Sequence, residues 1–380
     1  MPRILSLVGA RPQFVKLAPI CRAVECLRAK GEDIEHLVVH SGQHYDPALS
    51  EVFFEELGLP RPDANLDVGS GPHGQQTGRM MERFEAVLQG LAPDAVIVFG
   101  DTNTTLAGAL VTAKLGIPLV HLEAGLRSFN RAMPEEINRI ATDHISDLLL
   151  APTRQAMRLL ECEGLASKSI LTGDVNYDAI LQQRDVAQRR SQVIERLGLK
   201  PRRYVVVTAH RSENAESGRL EGLLDVMAML PAQGLKVVFP VHPRTAAAFG
   251  SVLDSYRDRP GLMLIDPLGY IDMLRLVRDA RIVLTDSGGL QKEAFFLDTP
   301  CITLRQETEW TETVECGANV LVGMDGELIG RALAAWEERI QGGDADNFSL
   351  RAQHPFGDGS AADQSIEAVM VLLDGARSRA

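Results

Sequence analysis

The chain is predicted to be an α/β protein of two Rossmann-like, doubly wound domains that face each other across a cleft. Three observations predict it. The 380 residues are more than one hydrophobic core normally covers. Short β-branched runs alternate with amphipathic helical patterns along the whole chain, as in chains built from βαβ units. Most of those runs are apolar at nearly every position, which fits parallel strands covered on both faces.

In the first half the strand candidates are Arg3–Val8, His36–Ser41, Ala95–Phe99, Leu119–Leu122, Leu148–Leu150 and Ser169–Leu171. In the second half they are Tyr204–Thr208, Lys236–Val241, Met263–Ile265, Arg281–Leu284, Cys301–Leu304 and Val320–Val322. The stretch from Asn176 to Lys200 is polar and helical, so a boundary falls there. Residues 1–175 read as the first domain and 176–358 as the second. Residues 359–380, helical from Ser360 to Gly375 after a polar stretch, read as a segment that packs back on the first domain.

Hydrophobic content of 45% supports a packed core, and the net charge is −12 with no Lys/Arg cluster. Nucleic acid is therefore not an expected partner. No apolar run reaches membrane-spanning length, and Met1-Pro2-Arg3-Ile4 enters a strand at once. Neither membrane insertion nor export is expected, and a cytoplasmic protein is. The five cysteines, Cys21, Cys26, Cys162, Cys301 and Cys316, lack any CxxC spacing. They read as reduced structural thiols, with no metal site.

The most informative stretch is Thr285-Asp286-Ser287-Gly288-Gly289-Leu290-Gln291-Lys292-Glu293. It joins a buried strand to a helix. Free N–H groups at a helix start favour phosphate, and glycine lets phosphate oxygens reach the backbone. Glu293, about one turn into the helix, is placed to hold a ribose diol. Ser287 with Gly288 also suits a plain helix cap, but that reading leaves Gly289 and Glu293 without a role.

Gly9-Ala10-Arg11-Pro12 through Lys16 follows the first strand. Pro12 suits the first turn of a helix, and Arg11 and Lys16 are candidate diphosphate contacts. Asp101, in Gly100-Asp101-Thr102-Asn103, follows an apolar strand and suits either a helix cap or a catalytic role. Glu123, in His121-Leu122-Glu123-Ala124-Gly125-Leu126-Arg127, would lose solvation at a strand end unless paired or used. Arg127 is its available partner and is counted with the substrate-binding groups. Pro134 opens a helix whose first turn carries Glu135 and Glu136, and one of the two is expected merely to complement the dipole. Asp101, Glu123 and Glu135 form a candidate carboxylate cluster. His210, after a strand of the second half, is a candidate proton donor to a departing phosphate.

Gly69-Ser70-Gly71-Pro72-His73-Gly74 matches G-x-G-x-x-G literally. The preceding segment is a poor strand, and Pro72 removes an N–H that a pyrophosphate needs. NAD binding is not expected there. No Walker A loop or HExxH is present, which argues against a P-loop ATPase or a zincin.

The segments GARPQFVK, SGQHYD, GDTNTT, HLEAGLRS, MPEEINR, AHRSEN, PVHPRT and TDSGGLQKEA resemble, in order, the motifs of the non-hydrolysing UDP-N-acetylglucosamine 2-epimerases. The resemblance covers nearly the whole chain. It implies a fold similar to the GT-B glycosyltransferases and interconversion of UDP-GlcNAc and UDP-ManNAc without NAD or metal. It also implies a homodimer. By motif, Asp101, Glu123, Glu135 and His210 match the family's catalytic residues. Arg11, Ser287, Gly288, Gly289 and Glu293 match its UDP contacts, and Met273 falls where it packs the uracil. Gln43, His44 and His242 match positions that help bind an activating second UDP-GlcNAc in some bacterial members.

Three departures stand out. Ser212 replaces an arginine after His210-Arg211, Trp310 follows Thr308-Glu309 where an arginine is usual, and Asn130 to Met133 is less aromatic than the family pattern. They put the activator site in question and resemble the branch that epimerises UDP-2,3-diacetamido-2,3-dideoxy-glucuronic acid. A GT-B glycosyltransferase and a nucleotide-sugar-binding regulator share the nucleotide features. Neither has an evident use for three carboxylates and His210.

Overall fold

The computed structural model describes residues 1–43, 54–209, 217–343 and 354–377. It divides into two compact units, Met1–Leu181 with His354–Ala380, and Gln182–Gln353.

The first unit carries β1 (Arg3–Val8), α1 (Arg11–Ala29), β2 (Glu35–His40), β3 (Ala64–Asn65), α2 (His73–Leu91), β4 (Ala95–Phe99) and α3 (Asn103–Lys114). There follow β5 (Leu119–Leu122), α4 (Pro134–Ile145), β6 (Leu148–Ala151), α5 (Arg154–Cys162), β7 (Ser169–Leu171) and α6 (Val175–Arg190). Helix α6 runs on into the second unit. The strand order is β3-β2-β1-β4-β5-β6-β7, and every pairing is parallel. Strand β4 is buried at all five positions, as the unbroken apolar run Ala95–Phe99 requires. On one face Leu5, Leu7, Val96 and Val98 pack with Met80 and Phe84 of α2 and Ala107 and Val111 of α3.

The second unit holds α7 (Val193–Arg196), β8 (Tyr204–Thr208), α8 (Ser217–Met229), β9 (Lys236–Pro240), α9 (Pro243–Tyr256), β10 (Leu262–Ile265) and α10 (Tyr270–Arg278). It continues with β11 (Ile282–Thr285), α11 (Gly288–Phe296), β12 (Cys301–Thr303), α12 (Thr311–Glu315), β13 (Asn319–Leu321) and α13 (Gly326–Gln341). Its parallel sheet has the order β10-β9-β8-β11-β12-β13. The last helix, α14 (Ala361–Arg377), lies against α1, and the Ala362 N–H donates to Asp178 Oδ2 at 2.7 Å. No described helix is long and apolar enough to cross a membrane.

Strand β3 is missing from the sequence reading. Two residues at a sheet edge carry no period to detect. The Gly69–Gly74 match follows β3 at a distance and runs into the first turn of α2, which starts at His73 after an N-cap at Pro72.

Helix α4 reverses the usual polarity of a docked helix. Its buried residues are Glu136, Asn138, Arg139, Thr142 and Asp143, while Ile137 is 50% exposed. Apart from Ile145, which packs on the core, what seats it is hydrogen bonding. The fully buried Asp143 meets His121 Nδ1 at 2.7 Å through Oδ1. Its Oδ2 accepts from the Gly125 N–H at 3.1 Å and from Arg127 Nη1 at 2.7 Å. Arg127 then forks onto Glu163 with two 2.7 Å bonds. Glu136 accepts from the N–H groups of Ser128 and Phe129 and from the Ser128 hydroxyl, each at 2.9 Å.

Burial alone would raise the Asp143 pKa, but His121 and Arg127 outweigh it and hold the carboxyl below its ordinary value. Glu136 is also lowered, its burial outweighed by Ser128 and Arg139. Hydrogen bonding to Arg127 lowers Glu163. A carboxyl with a depressed folded-state pKa stabilises the fold above its unfolded pKa and loses that contribution as pH falls through the folded one. The stability advantage of wild type over Asp143→Ala should therefore hold from neutral pH down to about 5 and shrink below about pH 4. Asp143→Ala should cost about 3–5 kcal/mol, because it strands the buried Arg127 guanidinium and the His121 imidazole. Unfolding curves from pH 7 to 3 check both, and a midpoint for Asp143→Ala equal to wild type would refute the brace.

Candidate functional site

In each sheet the strand order reverses beside the first strand, between β1 and β4 in one unit and between β8 and β11 in the other. Ligands of doubly wound sheets bind beyond the carboxyl ends of strands at such points. Arg11 and Lys16 follow β1, Asp101 follows β4, and Ser287, Gly288, Gly289 and Glu293 follow β11, whereas Glu123, Arg127 and Glu135 come after β5 and Met273 after β10.

Gln13 clasps the two turns at the first switch point. Its Oε1 accepts from the N–H groups of Gly9 and Ala10 at 2.8 and 3.0 Å, and its Nε2 donates to Phe99 O at 2.9 Å. A Cβ on Gly9 would overlap Ser41 Oγ, so this turn needs glycine. One turn along α1, Lys16 points inward, with Nζ 2.5 Å from Glu123 Oε1 and both side chains under 10% exposed. Glu123 therefore takes Lys16 as its partner, and the expected pairing with Arg127 does not form. Arg127 is buried against Asp143 and Glu163 instead. Glu123 has φ +73°, a left-handed conformation that costs a non-glycine residue energy. It is held there because the N–H groups of Glu123 and Ala124 both bond Leu150 O, at 3.2 and 3.0 Å.

Asp101 is not a helix cap. The N-cap of α3 is Thr102, whose side chain accepts from the Thr105 N–H. The Asp101 carboxylate pairs with Arg139 and is 30% exposed, and Asn138 Nδ2 donates to Asp101 O at 2.9 Å. Glu135 lies one turn before Arg139 on the same helix face and is exposed. Of the two first-turn carboxylates, Glu136 is thus the structural one and Glu135 the accessible one. The unit presents two accessible carboxylates, Asp101 and Glu135, on either side of Arg139. A third, Glu123, is neutralised by Lys16. A Cβ on Gly100 would lie 3.1 Å from Lys16 Nζ and 3.5 Å from Glu123 Oε1, which puts that ion pair against the turn carrying Asp101. Arg11 opens α1 after the Gly9-Ala10 turn. Gln43 Oε1 accepts from the Thr104 hydroxyl at 2.7 Å.

In the second unit Ser287 caps α11, its hydroxyl accepting from the Leu290 N–H. The two glycines that follow answer to different neighbours. A Cβ on Gly288 would overlap Glu309 Oε1, whereas one on Gly289 would meet nothing closer than Ser287 Oγ at 3.9 Å. Gly288 is needed by the chain itself. Gly289 is exposed, and its open N–H face is free for an anion. Glu293 lies one turn further along α11. Met273 is buried on α10. His242 follows β9. His44 and His210 lie outside the described residues.

Other charged residues line these elements and were not singled out from the sequence. Lys292 is 1% exposed, its ammonium 3.7 Å from the centre of the Trp310 ring. Arg305 pairs with Glu309 at 3.0 Å. In the first unit the overlooked groups are His121, Asn138, Arg139 and Asp143. The i, i+4, i+8 spacing of Glu135, Arg139 and Asp143 was the available signal, since it puts three charges on one face of a helix that must dock.

The UDP-N-acetylglucosamine 2-epimerase family model matches residues 27–370. A UDP-2,3-diacetamido-2,3-dideoxy-D-glucuronate 2-epimerase of Pseudomonas aeruginosa is 45% identical over 332 residues, 86% of this chain and 90% of its own. A UDP-N-acetylglucosamine 2-epimerase of Methanocaldococcus jannaschii is 41% identical over 371 residues, 96% of this chain and 98% of its own. The crystal structure of the Methanocaldococcus jannaschii UDP-GlcNAc 2-epimerase in complex with UDP-GlcNAc and UDP matches with a TM-score of 0.86 at 39% identity, covering 97% of this chain and 99% of that one. With two Rossmann-like α/β domains of the GT-B kind and these relatives, the chain is an isomerase that belongs to the UDP-N-acetylglucosamine 2-epimerase family.

Proposed function

We propose that the protein interconverts UDP-GlcNAc and UDP-ManNAc by eliminating and re-adding UDP, with no hydrolysis. The observation that carries this reading is the pair of accessible carboxylates, Asp101 and Glu135, beside a third, Glu123, that is already neutralised by Lys16. The C2 proton of a 2-acetamido sugar has no neighbouring carbonyl to acidify it. Departure of UDP from C1, with the bonding electron pair, builds oxocarbenium-like charge there. C2–H then becomes acidic enough for a carboxylate to take the proton, and a C1=C2 double bond forms. Carboxylates also suit stabilisation of that charge. Protonation of the resulting 2-acetamidoglycal on the opposite face, with return of UDP to C1, gives the C2 epimer.

Two faces require two proton-transfer groups, and Asp101 and Glu135 take these roles. Glu123, paired with Lys16, orients the other two or adds to the stabilisation of the cation. His210, by its motif, assists the phosphate as it leaves and returns. Arg11 and Lys16 balance the diphosphate charge, with Arg127 supporting the sugar-side loop from beneath. Ser287, Gly288 and Gly289 offer backbone N–H groups to the diphosphate, Glu293 takes the ribose and Met273 the uracil. Gln43, His44 and His242 are the candidate activator contacts. The reading calls for no NAD or metal, and for a homodimeric cytoplasmic enzyme.

A second reading takes UDP-2,3-diacetamido-2,3-dideoxy-glucuronate as substrate. It is supported by Trp310, held under Lys292 where an arginine is usual, and by the Pseudomonas aeruginosa relative of that name. Each UDP-sugar incubated alone with the protein, followed by NMR at C2, decides between them. In deuterium oxide, turnover should place solvent deuterium at C2. Retention of the original hydrogen would rule out elimination. Asp101→Asn or Glu135→Gln should slow turnover by roughly 10²–10⁴. Unaltered rates in either variant would remove that residue from the proton-transfer pair.

The two glycines give a separate test. Gly289→Ala should weaken UDP binding about tenfold or more, roughly 1.4 kcal/mol, with thermal stability kept or slightly raised because alanine suits a helix. Gly288→Ala should lower the melting temperature by crowding Glu309. Calorimetry with UDP and a thermal scan read both. Full UDP affinity in Gly289→Ala would place the diphosphate elsewhere.

A further inference from the structure

We propose that His121 is a positioning residue for the reaction, setting the turn that carries Asp101 relative to the turn that carries Glu123. The proposal rests on the assignment of Asp101 as a proton-transfer group.

His121 is the third residue of β5 and is fully buried, so it touches no substrate. Its Nε2 lies 2.7 Å from Gly100 O, and its Nδ1 lies 2.7 Å from Asp143 Oδ1. A carbonyl oxygen only accepts, so Nε2 carries a hydrogen, and Nδ1 shares a proton with the carboxylate. Gly100, with φ +64°, is held from both sides by β5, since its own N–H donates to Leu122 O at 3.0 Å. The peptide that joins Gly100 to Asp101 is planar, so fixing the Gly100 carbonyl fixes the plane from which Asp101 departs. Asn138 secures the next carbonyl and Arg139 the carboxylate.

The opposite side of the imidazole reaches the other turn. Asp143, which His121 holds, accepts the Gly125 N–H at 3.1 Å, two residues beyond Glu123. His121 itself lies two residues before it. One imidazole–carboxylate pair thus spans both turns, while Asn138 secures the Asp101 side and Arg139 pairs with both Asp101 and Glu136. A group that fixes the separation of two reacting carboxylates acts on turnover rather than on nucleotide binding, because displacement by an ångström at the reacting centre is felt mainly in the chemical step.

The two amide side chains divide the two bonds. In His121→Gln the amide nitrogen reaches the Nε2 position and keeps the donor to Gly100 O. In His121→Asn it occupies the Nδ1 position and keeps the donor to Asp143. Full-length protein is assayed with its UDP-sugar for kcat and KM and heated for Tm. His121→Asn should lose roughly 10- to 100-fold in kcat with KM within about twofold, while His121→Gln keeps kcat within about threefold despite a lower Tm. A solely structural role would make kcat follow Tm in both variants, and that result overturns the proposal, as does full kcat in folded His121→Asn. If His121→Asn does not fold, retained kcat in His121→Gln supports the positioning bond and its loss overturns it. Asp101→Asn, measured alongside, separates the failures. Wild-type turnover there removes the acid–base assignment and this proposal together, whereas an inactive Asp101→Asn beside a fully active His121→Asn removes the positioning role alone.

Discussion

The carboxylate of Asp143 is the constraint around which the first unit's chemistry is arranged. It is fully buried and meets an imidazole, a backbone N–H and a guanidinium. Breaking a buried charge set by removing one partner is far more damaging than never having built it. The geometry of all three partners is therefore fixed together. Through them Asp143 governs the end of β5, the Gly125 turn and the loop that Arg127 and Glu136 hold down. The left-handed Glu123 lies between the first two and is affordable only because its surroundings over-determine it.

The two units present different kinds of group at their strand ends. The first offers charged side chains on turns braced from below, with Lys16 and Glu123 desolvated as a pair and Asp101 and Glu135 left accessible. The second offers backbone. Ser287 secures the start of α11, and Gly289 leaves its N–H side uncovered. A mobile proton needs side chains of tuned basicity, whereas a diphosphate needs only well-placed dipoles. Lys16, Asp101 and the α11 turn follow strands at the reversal of strand order, where adjoining helices diverge and leave room.

The architecture was legible because strands buried on both faces are written as unbroken apolar runs, and Ala95–Phe99 and Tyr204–Val207 carry that signal plainly. The two-residue β3 carried none. The turn residues were legible by type and position, since Ser287, Gly288 and Gly289 sit where strand gives way to helix. Side-chain pairing was not. Glu123 and Arg127 are close in sequence, yet Glu123 finds Lys16 from another helix, and Arg127 finds Asp143 and Glu163. Asp101 suits a cap by type and position, yet Thr102 holds that place. Such choices depend on which helix docks against which strand, and that long-range information is absent from local spacing. Gly288 and Gly289 are identical in sequence and differ only in what stands opposite them.

The reversed polarity of α4 bears on how this protein can change over time. A helix docked by an apolar stripe can slide by a fraction of an ångström and keep most of its adhesion, because burial has no direction. One docked through Glu136, Asn138, Arg139 and Asp143 has no such tolerance, since a small shift misaligns several directional bonds at once. Substitutions nearby are then accepted or rejected as a set, not by degrees. Gradual reshaping of the surface around Asp101 and Glu135 is blocked on this side. The α11 turn and the Lys292–Trp310 stack, held by backbone shape and a single ring, are the surfaces where new preferences can accumulate one step at a time.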